Sequence, residues 1–321
     1  MLRPNRLNRM ATMATLPLMA VVIVFASRAI SAVQVSADPP GDGFLVVANL
    51  REESLSFLHL ASAQTQTLAL PGPPHEMAFA SGRLYITLGR ANLLLEVDPY
   101  APGILRQLPL DGEPHGLAIE GETIFVTLDL ANALVTIDRV TLAETARTPT
   151  GNTPHAVALN RGAAYVTASR DNRLQRLPGD AFAATGALPE SVAVVGPAVV
   201  TANADSRSLD VFALESLSLV RRVGLQGRPV RVLPLDERLV LVSLNDEARV
   251  AVVDTESGKV KRHLRTPGYP DGLCLDTAGE YLAVASNESD SISFFRVEDW
   301  ARAGSLPAGH GPGACIWIPP R

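Results

Sequence analysis

From residue 44 onward, apolar and polar side chains alternate with period two in short runs, and the runs sit between turn signals. Such runs cover 45–48, 85–88, 125–128, 165–168, 199–202, 241–244 and 282–285, with Thr, Ser or Ala at or beside their ends. Each is followed by a polar turn and a second alternating run, such as 93–97 or 134–137. Period-two alternation with high β-branched content predicts strand and disfavours helix. A proline-led turn precedes the apolar run of each unit, at Pro74, Pro114, Pro154, Pro189, Pro229, Pro270 and Pro312. The spacing is about 40 residues, the period of a propeller blade of four short strands.

Proline at the opening of a first strand costs no ladder bond. Asp98, Asp138 and Asp254 close third strands ahead of polar turns, where a short carboxylate can accept a backbone N–H two residues on. The two ends of the chain are complementary. The unit from Phe44 has no proline-led strand ahead of it, and the strand at 313–318 has nothing after it. Joined, they complete a seventh blade and remove the open edges that would template aggregation. The expectation is an all-β, seven-bladed β-propeller of four-stranded antiparallel blades over 38–321, closed by the C-terminal strand joining the N-terminal blade.

Residues 1–37 do not carry the repeat. Arg3, Arg6 and Arg9 precede an apolar segment, 16–26, and then small residues through Ala32 and Ala37. This reads as a signal peptide cleaved after Ala32 or Ala37, too short for a ready membrane span. An uncleaved anchor is the alternative and the only expected membrane attachment. Either way the propeller is expected outside the cytoplasm, periplasmic or secreted. A composition of 47% hydrophobic and 19% charged residues suits a large core, and a net charge of −5 argues against a nucleic-acid surface.

The repeat places chemistry on the axis. In a propeller the first strand of every blade lines the centre, so equivalent positions form a ring. The residue after each proline is His75, His115, His155, Glu190, Val230, Asp271 and Gly313. The second strand returns to the same face, where it ends on Asn49, Gly89, Asp129, Ser169, Asn203, Asn245 and Asn287, with Arg90 and Arg170 beside them. Convergent polar groups in a concave site mark the default ligand position. The candidate ligand-binding residues are therefore His75, His115, His155, Glu190, Asp271, Asp129, Asn203, Asn245, Asn287 and Arg90. Two chemistries fit the imidazoles. They can bond to a neighbouring blade's backbone or to channel water, as buried polar groups require partners. Alternatively His75, His115, His155 and Glu190 hold a transition metal, Zn, Cu, Ni or Fe. His59 and His263 are expected at the surface, and His310 in a solvated loop.

Cys274 and Cys315 are the two cysteines. They fall four and three residues after their prolines, on opposite faces of consecutive inner strands. Buried free thiols are the expectation and a disulfide the alternative, which an exported chain permits. No Cys-x-x-Cys, Gly-x-Ser-x-Gly or phosphate-binding loop is present, so the sequence assigns no catalytic residue.

Pro114-His115-Gly116-Leu117-Ala118-Ile119, then Ile124-Phe125-Val126-Thr127, then Leu134-Val135-Thr136-Ile137-Asp138 resembles the repeat of the YVTN, or YncE-like, β-propeller family. The likeness covers 44–318 and implies the fold without fixing an activity. It departs from the motif at Glu190, Val230, Asp271 and Gly313, which replace the His of three copies. The functional expectation is an exported YVTN-like binding or scaffold protein with an unidentified protein partner or small-molecule ligand on the axial face. A His-rich metal-binding protein or metalloenzyme is the alternative, and a lactonase- or hydrolase-like propeller enzyme, by fold analogy, a weaker one.

Overall fold

The computed structural model describes residues 43–62 and 64–321; the expected signal peptide at 1–37 lies outside them. Each repeat folds into one four-stranded antiparallel sheet, and there are seven such sheets. Six are continuous in sequence: blade 1 (77–109), blade 2 (114–149), blade 3 (154–184), blade 4 (189–224), blade 5 (229–265) and blade 6 (270–307). Blade 7 joins the strand Pro312–Ile318 to Phe44–Asn49, Ser54–His59 and Gln64–Ala69. The expected closure by both termini is therefore present, with Leu45 opposite Trp317 and Val47 opposite Cys315.

The seven inner strands touch one another in a closed ring, from Met77–Ala80 round to Pro312–Ile318 and back. Alternation explains the packing. Side chains on the two faces of each middle strand are both buried, because each blade is sandwiched between two others. Ile86, Leu95 and Val97 of blade 1 pack with Val46, Leu55 and Phe57 of blade 7. Tyr85 and Leu94, on the other face, pack with Ile124, Val126 and Val135 of blade 2. Each such fully buried aliphatic or aromatic side chain stabilises the fold by about 1.5–3 kcal/mol. Outermost strands such as Ala143–Pro149 are mostly exposed and polar, which discourages edge pairing.

The turns between second and third strands secure the next blade. Asn92, Asn132 and Asn172 have positive φ, a conformation asparagine tolerates. Asn92 Oδ1 accepts from the N–H groups of Gly112 and Glu113, Asn132 Oδ1 from Thr153, and Asn172 Oδ1 from Leu188. Each of these turns therefore fixes the loop that delivers the next proline to the axis.

The cysteines correct one expectation: Cys274 and Cys315 form a disulfide rather than two free thiols. Opposite faces of consecutive blades are the two faces that meet across a blade interface. Both residues consequently enter one cluster with Ala283, Ala285 and Trp317, and their Cα atoms are 5.8 Å apart, within bridging range. The bond ties blade 6 to the strand that closes the ring.

Candidate functional site

The site is built by the first residues of the inner strands. Pro74, Pro114, Pro154, Pro189, Pro229, Pro270 and Pro312 are buried. His75, His115, His155, Glu190, Val230 and Asp271 line a cavity of about 160 Å³ together with Leu50, Arg231, Asn245 and Tyr269. The ring expected from sequence is thus assembled, and six of the ten candidate ligand residues meet in it: the three histidines, Glu190, Asp271 and Asn245.

The histidines stand side by side, with ring centroids 4.5 Å apart for His75 and His115 and 3.9 Å for His115 and His155. His115 Nδ1 lies 3.1 Å from the backbone oxygen of His155, and His155 Nδ1 lies 2.8 Å from that of Glu190. A carbonyl only accepts, so both Nδ1 atoms carry the proton and Nε2 is the acceptor. Burial lowers the His155 imidazole to about 4. Burial and the adjoining His155 and His75 rings hold His115 well below its usual range, and burial followed by Arg231 lowers His75. All three rings are neutral near pH 7. His115 and His155 thereby clip one blade to the next, the backbone bonding that was one of the expected chemistries. Among the described residues no group of three or more His, Cys, Asp or Glu side chains is arranged to hold a metal ion.

A threonine on the second strand completes each clip. Thr127 Oγ1 accepts from Gly116 N at 2.7 Å and donates to the His155 oxygen at 3.1 Å. Thr87 does the same between Glu76 N and the His115 oxygen, and Thr167 accepts from Ala156 N. Gly116 allows the close approach: a Cβ there would stand 2.6 Å from the His155 oxygen.

Electrostatics concentrate on the residue two places after the proline. Those positions are Glu76, Gly116, Ala156, Ser191, Arg231, Gly272 and Ala314. Five are small, so the two long side chains reach one another across the axis. Arg231 pairs with Glu76 through a short contact and, through Nε, with Asp271 at 3.2 Å. Burial opposes charge on Arg231, but Glu76 and Asp271 outweigh it and hold the guanidinium protonated. Nearer the mouth, Arg228 pairs with Glu190 at 2.7 Å and with Asp205 at 3.5 Å. Burial raises the Glu190 carboxyl and Arg228 works against that rise. Arg231, Glu76, Arg228 and Tyr269 escaped the sequence reading. The signal for the first two was available: the offset that finds the histidines finds them one residue later.

The remaining candidates lie elsewhere. Asn203 is fully buried, accepting from Thr201 Oγ1 and donating to Ser208 Oγ. Asn287 accepts from Arg51 at the seam between blades 6 and 7. Arg90 is exposed at the rim. Asp129 is partly buried with Oδ1 lacking a partner, and burial, then Glu113, raises its carboxyl to about 7. His310 is exposed and bonds to Asp290. His59 packs on Phe44, and His263 lies partly buried on the outer strand Lys259–Arg265.

By sequence, the chain matches no known family and no curated protein. By structure it is similar to a functionally unknown protein from Desulfotomaculum acetoxidans, with a TM-score of 0.73 at 14% identity over 87% of this chain and 100% of that one. It is also similar to apo AztD from Citrobacter koseri, TM-score 0.67 at 10% identity over 86% and 98%. A streptogramin B lyase gives a TM-score of 0.68 at 13% identity over 86% and 91%. At these identities the likeness is one of fold, and with the sheet order above it makes the chain a seven-bladed β-propeller.

Proposed function

We propose that the chain is an exported, diverged YVTN-like propeller that binds a small ligand, or the tip of a partner, in the axial funnel. The observation that carries this reading is the convergence of neutral imidazoles, paired carboxylates and Tyr269 on one cavity of about 160 Å³. Concave sites of this make-up are the usual ligand positions. The clips support it further, because a site anchored on inner strands holds its side chains in fixed geometry. Similar propellers include a lyase and a protein of unknown function, so the fold itself selects no activity.

A thermal-shift screen of the purified protein against amino acids, sugars, organic acids, nucleosides and divalent metal salts tests the reading. At least one compound is expected to raise the melting temperature of the wild type and to lose that effect in Tyr269→Ala. A screen with no shift, or a shift kept in both Tyr269→Ala and Glu190→Gln, would overturn it. Stoichiometric metal in untagged protein, lost in His115→Ala, would assign the funnel to a metal instead. Export is checked by cell fractionation and by N-terminal sequencing, with a new terminus expected after Ala32 or Ala37.

A further inference from the structure

Four of the second strands end on an asparagine or are followed at once by one: Asn49, Asn203, Asn245 and Asn287. Three of these side chains bond within the protein. Asn49 donates to Ser54 and Ser56, Asn203 donates to Ser208 and accepts from Thr201, and Asn287 accepts from Arg51. Asn245 differs. It is only 4% exposed, yet its carboxamide makes no hydrogen bond among the described residues, and Nδ2 is fully buried without a partner. Of the four, Asn245 is also the one that lines the funnel cavity. A buried amide unbonded at both its donor and its acceptor end, beside a cavity, points to an occupant that fills both roles.

The rest of the wall narrows the chemistry. His115 and His155 give their Nδ1 protons to backbone carbonyls, so Nε2 of each is an acceptor only. The charged groups are already committed, Glu190 to Arg228 and Asp271 to Arg231. An anion would therefore meet neutral rings with no spare proton and guanidinium groups held by carboxylates. A cation would meet the Arg231 charge, which next to burial is the main influence lowering His155 and His75. A hydroxyl is uncharged, donates one hydrogen bond and accepts others, and so suits both Nε2 and the amide. Leu50 and Val230 in the same wall offer contact for carbon. The cavity of about 160 Å³ has the volume of about five waters at about 30 Å³ each, which sets the scale at a small polyol or a single sugar ring.

We propose that the funnel binds an uncharged polyhydroxyl compound, a small polyol or a monosaccharide, with its hydroxyl groups on the Asn245 carboxamide and on Nε2 of His115 and His155. This assignment rests on the funnel reading above and names its ligand class. Asn245 is the group that selects a hydroxyl, because it alone in the wall needs a donor and an acceptor together.

Titration calorimetry of the purified protein near pH 7 tests it with glycerol, erythritol, myo-inositol, ribose, arabinose, glucose, galactose and mannose, alongside glucosamine and glucuronate as charged counterparts. At least one neutral compound is expected to bind, about tenfold or more tightly than either charged one, since burying an unpaired charge is costly. Asn245→Leu keeps the volume and is expected to lose about tenfold or more in affinity for that compound. The variant is expected to fold, because the side chain it removes makes no hydrogen bond in the protein. Should it not, Asn245→Ala is expected to weaken binding in the same direction. No binding by any neutral compound, equal or tighter binding of glucosamine or glucuronate, or affinity kept in the Asn245 variant would overturn the proposal. If only charged compounds bind, and Tyr269→Ala abolishes that binding, the ligand class is wrong and the funnel reading stands. If no compound of any class binds, both fall.

Discussion

Asp129 shows how a single position can work against the fold at neutral pH. It directly follows the second strand of blade 2, its Oδ1 is buried without a partner, and burial raises the carboxyl from 3.8 to about 7. A carboxyl whose folded pKa is raised binds its proton more tightly in the folded state. Its contribution is therefore fully present below the unfolded value of 3.8 and is lost as pH rises through about 7. Asp129→Asn, which keeps the shape and removes the titration, is expected to be more stable than wild type at about pH 8 and equal to it at about pH 4. Urea denaturation at both pH values measures this, and a constant difference between them would contradict the assignment. His155 works in the opposite sense. Its folded value of about 4 lies below 6.5, so its contribution is present above 6.5 and lost as pH falls toward 4.

At the scale of the strand, the repeat is held by clips as well as by apolar packing. Thr127 satisfies Gly116 N and the His155 oxygen at once, and it is fully buried. Thr127→Val keeps the volume and removes both bonds, leaving a buried donor without its partner. The expected cost is about 1–3 kcal/mol, read from the denaturation midpoint. Thr136→Val, in the same blade with its hydroxyl exposed, is expected to change stability by less than about 0.5 kcal/mol. A comparable loss in both variants would show that the clip adds nothing specific.

For the whole molecule, closure is the decisive event. A seven-sheet ring must join its ends, and here Pro312–Ile318 pairs with Phe44–Asn49 while Cys274–Cys315 ties that strand to blade 6. The bridge spans a sequence separation of 41 residues, and its removal is expected to cost about 2–4 kcal/mol by enlarging the unfolded ensemble. The Cys274→Ser, Cys315→Ser double variant should show a lower denaturation midpoint, and added reductant should bring the wild type down to meet it. An unchanged midpoint would mean that strand pairing alone holds the seam.

The linear pattern determined the architecture of this protein, because alternation, β-branched content and a period near 40 residues are local properties that leave one economical way to bury every sheet face. It also determined the ring of His75, His115, His155, Glu190 and Asp271, since equivalent positions in a closed repeat become neighbours by symmetry. Tertiary structure alone decided what those residues do. The imidazole protons of His115 and His155 are committed to carbonyls of the next blade, which depends on the distance between blades and leaves no mark in spacing. The reach of Arg231 to Glu76 depends on the width of the axis and on five small residues sharing its level. The disulfide depends on which faces of two blades meet. Periodicity specifies which residues share a level; only the packed ring sets how far apart they stand and which atoms they touch.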